Sequence, residues 1–278
     1  MKGLLQRVIT AIFFGAVMLG GLFGGPYPFA LLFALVTILC LWEFLGLCLP
    51  AAADPANGSR RIIGTVLGSL PYGLVSLQQL DLFDQPDLMT TALLCFIPLV
   101  FLVFLYELFH QAEKPFANVA YIVLGIVYLG CPFALLFLIA MKGGNYSPNI
   151  VLGMLLLTWA NDTGAYFVGS KLGKTPLFPR ISPKKTWEGS MGGVVIGLLV
   201  AWLLSWFFPL YSTLEWLGLA LVVVVFGALG DLVESMLKRS LKIKDSGNIL
   251  PGHGGMLDRF DAFIFVIPFV MAYLLFIQ

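Results

Sequence analysis

Charged residues are scarce in this chain. Asp, Glu, Lys and Arg make up only 11% of its 278 residues, whereas a soluble domain carries about 25%. Hydrophobic residues account for 59% of the chain. This composition excludes a soluble globular protein with a large core, and it predicts an all-α integral membrane protein.

Cysteine and histidine are also rare. The four cysteines lie in or beside apolar runs and form no Cys-x-x-Cys pair, and there are only two histidines. A zinc site or a disulfide framework is therefore not indicated. The net charge of +1 gives no indication of a nucleic-acid partner.

No long hydrophilic stretch and no evident internal repeat interrupts the apolar character. A helix needs about 20 apolar residues to cross a hydrocarbon core. The third segment is the weakest, because glycines and Pro71 interrupt it. Nine segments qualify as membrane-spanning helices: 4–23, 28–48, 61–79, 89–109, 118–141, 148–171, 189–208, 213–239 and 257–277.

The basic residues indicate how these segments are oriented. With nine spans, 15 of the 16 Lys and Arg residues fall on one side of the membrane, and only Lys142 lies opposite. Cytoplasmic loops carry the excess of Lys and Arg. We therefore predict nine transmembrane helices with a cytoplasmic N-terminus, since an even number would break the asymmetry.

Acidic residues inside the apolar segments form a second pattern. A charge at the membrane centre costs about 2.5–3.5 kcal/mol on insertion scales, so each one requires a reason. The predicted topology puts all of them in the cytoplasmic halves of their helices, which predicts a polar funnel that is open to the cytoplasm and closed below. These acids are Glu43, Asp162 (beside Asn161), Glu188, Asp231, Glu234, Asp258 and Asp261.

The segment 235–261 concentrates this chemistry. It holds five of the 16 basic residues, and Asp258 and Asp261 share one helix face at i,i+3 spacing. Together with Asp231 they could surround one hard cation, because Mg²⁺ prefers oxygen ligands. The alternative is that these acids only form interfacial salt bridges with Lys238, Arg239 and Arg259.

Two loops are candidates for phosphate binding. Residues 251–255, Pro-Gly-His-Gly-Gly, offer unobstructed backbone N–H groups. His253 in this loop suits proton transfer, phosphate contact or loop structure. In the other loop, Lys184 and Lys185 either hold a polyphosphate, or set the topology and contact lipid headgroups. Ser182 or Thr186 could cap the helix that follows.

The order of residues in 235–261 resembles the signature of the phosphatidate cytidylyltransferases, also called CDP-diacylglycerol synthases. The segments 161–162 and 182–189 are also similar to segments of that family, so the likeness covers about the C-terminal half. The eleven signature positions are Ser235, Lys238, Arg239, Lys244, Asp245, His253, Gly254, Gly255, Asp258, Arg259 and Asp261.

The resemblance implies that CTP and phosphatidic acid react to give CDP-diacylglycerol and pyrophosphate. It also implies dependence on Mg²⁺, and it allows a second cation at the same site. Asp231, Asp258 and Asp261 would hold the metal and, with His253, form the catalytic set. The implied substrate-binding residues are Asn161, Asp162, Ser182, Lys184, Lys185, Lys238, Arg239, Gly254, Gly255 and Arg259.

This interpretation divides the chain into a four-helix scaffold, 1–115, and a five-helix catalytic region, 116–278. We expect the protein to lie in a bacterial inner (cytoplasmic) membrane, with its active site facing the cytoplasm and membrane lipid as a partner. Whether it forms a homodimer is left undecided by the sequence. Three alternatives remain: a transporter or channel, another membrane phosphotransferase such as a CTP-dependent polyprenol kinase, and a structural scaffold. The transporter is disfavoured because no repeat is evident and nearly all polar groups lie on one side.

Overall fold

The computed structural model describes residues 2–82, 86–250, 252 and 254–277. Helices dominate this part of the chain, as predicted. Each of the nine predicted segments falls on a helix. The helices are α1 (Lys2–Phe23), α2 (Pro26–Cys48), α3 (Asn57–Gln79), α4 (Pro86–His110), α5 (Pro115–Gly125), α6 (Cys131–Ala140), α7 (Asn149–Leu172), α8 (Trp187–Phe207), α9 (Thr213–Ser240) and α10 (Leu257–Phe276).

The membrane-spanning character of these helices differs. Among the residues that the structure describes, six helices are long and apolar enough to cross a membrane. The segments 4–23, 61–79 and 148–171 form α1, α3 and α7, which fall outside this set. The chain is thus a helical integral membrane protein, while nine spans and a cytoplasmic N-terminus stay predictions. The six are Pro26–Cys48, Thr90–His110, Pro115–Ala140, Trp187–Phe207, Thr213–Ser240 and Leu257–Phe276.

The chain packs as two compact units. The first comprises Met1–Tyr146 and Asp245–Asp258, and the second comprises Ser147–Lys244 and Arg259–Gln278. The sequence interpretation drew its boundary at 115/116 on functional grounds, and that division stays a prediction.

In the first unit, the glycines of α3 allow this helix to approach α2 closely. A Cβ atom at Gly68 would lie 2.6 Å from Leu41 Cδ2, and one at Gly64 would lie 2.7 Å from Leu45 Cδ1. Small residues of this kind let membrane helices pack with their backbones near each other. Two of the glycines that weaken the apolar signal of α3, Gly64 and Gly68, are therefore packing positions.

A π-helical turn, Ile126–Gly130, joins α5 to α6, so that Pro115–Ala140 forms one long apolar helix. The backbone N–H of Cys131 donates to the carbonyl of Ile126, five residues back. Pro132 follows at once, and proline has no N–H to offer a regular helical ladder. A single π-helical turn within an α-helix accommodates such a break.

A buried polar network surrounds Arg60 in the first unit. Its side chain is 1% exposed, and it donates from Nε to Glu107 Oε1 at 2.6 Å and from Nη2 to Glu107 Oε2 at 3.0 Å. Arg60 also pairs with Asp54, and this hydrogen bond lowers the pKa of the Asp54 carboxyl. Asn118 donates to Glu107 Oε2 at 2.9 Å. Arg60 thus ties the start of α3 to α4 and α5.

The second unit contains a short β-hairpin that the all-α prediction did not include. Strand β1 (Pro176–Phe178) pairs antiparallel with β2 (Ser182–Thr186). Three prolines, Pro176, Pro179 and Pro183, disfavour helix in this stretch. Strands of three and five residues are too short to leave a clear period-two pattern.

We expect Glu107→Gln to lower the free energy of unfolding by about 3 kcal/mol, because removing one partner of a buried ion pair leaves a poorly compensated charge. The measurement is thermal unfolding of the purified protein in detergent. Glu113→Gln is the matched control, since Glu113 is exposed in the neighbouring loop. Equal unfolding midpoints for the two variants would contradict a stabilising role of the Arg60 network.

Candidate active site

The candidate site of the second unit is built on the close packing of α7 against α8. A Cβ atom at Gly164 of α7 would lie 2.8 Å from the carbonyl oxygen of Gly192 and 2.9 Å from Ile196 Cβ. One at Gly189 of α8 would lie 2.9 Å from the carbonyl oxygen of Ala165. Glycines at these positions bring the two backbones together beside the polar residues of α7.

The β-hairpin is fastened to the start of α8. Thr186 caps this helix by accepting a hydrogen bond from Gly189 N at 3.2 Å, as one of the two predicted caps. The Glu188 carboxylate accepts from Lys174 N at 3.1 Å and from Thr175 Oγ1 at 2.9 Å. These bonds fix both ends of the hairpin, and with them the basic segment that it carries.

A cavity of about 450 Å³ lies among α7, β2, α8 and α9. Its volume is in the range of small-molecule sites, about 300–1,000 Å³. Five residues that the sequence predicted for substrate or metal binding contribute to its wall. The lining residues are Asn161, Asp162, Ala165, Tyr166, Gly169, Ser170, Lys184, Lys185, Thr186, Gly189, Ser190, Ala228 and Asp231.

Charged groups of both signs meet in this cavity. Lys185 forms an ion pair with Asp231, and both side chains are about one-third exposed, at 29% and 32%. Ser235 Oγ donates to Asp231 Oδ1 at 3.3 Å. One turn away, Lys238 pairs with the fully buried Glu234. These two salt bridges differ from the pairs that the alternative interpretation named, because Asp231 pairs with Lys185 and Lys238 pairs with Glu234. The cavity also retains Asp162 and Lys184.

Carboxylates of α7, α9 and α10 interact electrostatically in this unit. Asp261 of α10 experiences the negative charges of Asp231 and Asp162 and the positive charge of Lys238. Its Oδ1 accepts from Ala262 N at 2.7 Å. Within the described ranges, no three His, Cys, Asp or Glu side chains converge as a ready-made metal site.

Three other predicted residues of the second unit, Ser182, Arg239 and Arg259, do not line the cavity. Ser182 begins β2, two residues before Lys184, and is not among the lining residues. Arg239 donates from Nε to the carbonyl of Ile181 at 3.4 Å and from Nη1 to the carbonyl of Ile243 at 3.3 Å. Arg259 is exposed at the start of α10.

The sequence interpretation missed three polar residues of the cavity wall, Tyr166, Ser170 and Ser190. Helical spacing was the available signal for two of them. Tyr166 and Ser170 follow Asp162 at i+4 and i+8, so they lie on the same face of α7.

In the first unit, Asp258 organises the backbone of residues 245–257, which we call the signature loop. Its Oδ2 accepts from Ser246 N at 2.9 Å and from Gly255 N at 2.8 Å. Gly254 has φ +85°, a conformation that favours glycine, and it bridges to Leu250. The Gly255 amide is therefore engaged by Asp258. His253 lies outside the described residues.

The sequence matches the cytidylyltransferase family over residues 5–277. It is 36% identical over 275 residues to a phosphatidate cytidylyltransferase of Bacillus subtilis (strain 168), covering 95% of each chain. It is 33% identical over 264 residues to the protein of that name from Staphylococcus aureus (strain COL), covering 94% of this chain and 95% of the relative. The similarity thus extends into the N-terminal helices.

We expect Gly164→Ala to lower the free energy of unfolding by about 1–3 kcal/mol, because the added methyl group forces the backbones of α7 and α8 apart. The matched control is Gly227→Ala in α9, where a Cβ would lie at an ordinary 3.6 Å from Val266 Cγ2. The control should gain roughly 0.5–1 kcal/mol from alanine's helix propensity. Thermal unfolding in detergent measures both, and equal effects would refute close packing at Gly164.

Proposed function

The chain belongs to the cytidylyltransferase family, and we propose that it transfers the cytidylyl group of CTP to phosphatidic acid. A phosphate oxygen of the lipid forms a bond to the α-phosphorus of CTP, the bond from that phosphorus to the bridging oxygen breaks, and pyrophosphate leaves. The product is CDP-diacylglycerol, an intermediate for phospholipid synthesis.

The observation that carries this proposal is the cavity of the second unit, where Lys184 and Lys185 line the same wall as Asp162 and Asp231. Lysine is a common binder of phosphate groups. The ion pair of Lys185 with Asp231 is partly exposed, and such pairs contribute about 0–1 kcal/mol. Lys185 can therefore exchange Asp231 for a triphosphate oxygen at little cost.

The carboxylates suit a magnesium ion. Mg²⁺ is usually held by one or two carboxylates together with substrate phosphates. Asp231 and Asp261 supply two acids whose like charges repel, with Asp162 as a third negative charge nearby. Bound there, Mg²⁺ would offset the charge of the phosphates and of the leaving pyrophosphate. Asp258 as a further ligand, and a second cation, stay predictions from the sequence.

The side chains of the cavity then have to position two anions rather than to create a nucleophile. The phosphate of phosphatidic acid is already ionised, so no strong general base is required. Lys184 and Lys185 would orient the triphosphate, and holding both reactants in one geometry removes much of the barrier. Asn161, which is 5% exposed, would shape the floor of the cavity with Asp162.

The remaining site residues stay predictions in this scheme. Lys238, Arg239 and Arg259 would bind the triphosphate or the lipid headgroup, Ser182 the substrate, and the amide of Gly254 a phosphate. The amide of Gly255, which was also predicted to bind a phosphate, donates to Asp258 instead. His253 would serve proton transfer or phosphate contact. We place the reaction at the cytoplasmic face of a bacterial inner membrane, where CTP is available, with the lipid tails entering between helices.

The test uses purified protein in micelles that contain phosphatidic acid. Label at the α-phosphate of CTP should enter the lipid fraction, and label at the γ-phosphate should leave as pyrophosphate. Chelation of Mg²⁺ should abolish both. Transfer of the γ-label to lipid would indicate a kinase instead. Ion flux into liposomes without release of pyrophosphate would favour the transporter.

Asp261→Asn should lower kcat by about 100-fold or more, because the carboxylate proposed to help hold Mg²⁺ at the reacting phosphates loses its negative charge. The thermal midpoint should not fall, since the substitution removes like-charge repulsion with Asp231 and Asp162.

The matched control for Asp261→Asn is Glu215→Gln, at the far end of α9, where glutamine can still accept the capping bond from Ser212 N. This control should keep wild-type turnover. Wild-type turnover of Asp261→Asn would remove Asp261 from the site.

A further inference from the structure

Glu43 is a buried acid that the proposed reaction does not use. It lies in α2, inside an apolar segment that can span the membrane, and its side chain is 5% exposed. A buried carboxylate in such a segment is costly unless it is well hydrogen-bonded. The contacts of Glu43 therefore indicate what it does.

Glu43 binds the first residue of α10. Its Oε2 accepts a hydrogen bond from Leu257 N at 2.8 Å. The first N–H groups of a helix have no partner within that helix, and they form its positive end. Glu43 thus acts as a cap that α2 supplies to a helix more than 200 residues further along the chain.

The same carboxylate also reaches the beginning of the signature loop. Oε2 accepts from Ser246 Oγ at 3.3 Å. Two glycines lie against it: a Cβ at Gly247 would be 2.8 Å from Glu43 Cδ, and one at Gly255 would be 2.5 Å from Oε2. A side chain at either position would require Glu43 to move, so Glu43 packs directly on the backbone at the two ends of the loop.

Asp258 holds the same two ends from its own side. It accepts from the backbone N–H groups of Ser246 and Gly255. Ser246 is therefore bound by two carboxylates, through its hydroxyl by Glu43 and through its amide by Asp258. Both acids, the loop ends and the start of α10 belong to the first unit.

Arg61 supplies a positive charge beside Glu43. The two groups attract each other electrostatically, and both line a hollow of about 310 Å³ that includes Gly247 and Asn248. The Arg61 guanidinium stacks 3.8 Å above the ring of Trp42, and its Nε donates to the Trp42 carbonyl at 2.7 Å. Its position beside Glu43 is thereby fixed.

We propose that Glu43 is a positioning residue for the cytidylyl transfer: it clamps Ser246–Gly247 to Gly255–Leu257 and so fixes the signature loop. The inference rests on the proposed function for its effect on turnover, but not for the clamp itself. Glu43 is not a catalytic residue in this scheme, because it acts through the loop backbone. The signature of the family does not include it.

The test compares Glu43→Gln and Glu43→Asp with Glu107→Gln, another buried acid of the first unit whose described contacts lie outside the loop. Glu43→Gln keeps one acceptor oxygen but removes the negative charge that faces the positive end of α10. It should lower kcat/KM by about 10- to 100-fold, as is typical for groups that orient a site. Amide exchange of the peptide 245–257 should quicken at least severalfold. Glu43→Asp keeps the charge, so its kcat/KM and its amide exchange should lie between those of Glu43→Gln and the wild-type protein. Glu107→Gln should lose thermal stability but keep exchange of this peptide and kcat/KM per folded molecule.

Two results would overturn the proposal: wild-type exchange of the peptide 245–257 in Glu43→Gln, or loss of kcat/KM in proportion to thermal stability in both Gln variants. If Glu43→Gln does not fold, Ser246→Ala removes one bond of the clamp. It should give a smaller rise in exchange, and unchanged exchange would count against the clamp. If the wild-type protein does not form CDP-diacylglycerol, the proposed function fails, while the exchange comparison still decides the role of Glu43.

Discussion

Burial of acidic side chains in apolar helices is the constraint on which this structure depends. Each such charge is costly without a partner, and the partners determine the local architecture. Glu107 binds Arg60 and Asn118, and Glu234 binds Lys238. Glu43 binds the backbone at the start of α10. Three uses of one residue type follow: tying helices together, pairing with a lysine one turn along the same helix, and capping a distant helix.

Glycines provide the space that these charged side chains need beside the backbone. Gly164 and Gly189 let α7 and α8 approach closely, which brings the polar face of α7 next to the hairpin that carries Lys184 and Lys185. In the first unit, Gly255 leaves room for Glu43 Oε2. In both units, the absence of a Cβ atom allows backbone and polar side chains to share a small space.

The helices and the acids of the cavity could be predicted from the sequence, whereas the β-hairpin and the contact of Glu43 could not. Apolar segments of about 20 residues located the helices, because burial in lipid leaves a strong compositional signal. Charges inside those segments pointed to Asp162 and Asp231, which line one cavity. The hairpin at 176–186 was not predicted, since its strands are short. The partner of Glu43 could not be predicted, because a contact between residues 43 and 257 depends on tertiary packing that no local pattern records.

A motif match also does not separate residues that hold the loop from residues that face the substrate. Asp258 accepts two backbone N–H groups through one oxygen, so replacing it releases Ser246 and Gly255 whatever else it does. Lost turnover after that change would not assign Asp258 to a metal. Asp261 accepts from the adjacent Ala262 N and interacts with the acids of the cavity, so its substitution reports more directly on charge. Lys185, which faces the cavity, stands outside the signature altogether. The chemistry of this family therefore has to be assigned from contacts rather than from the motif.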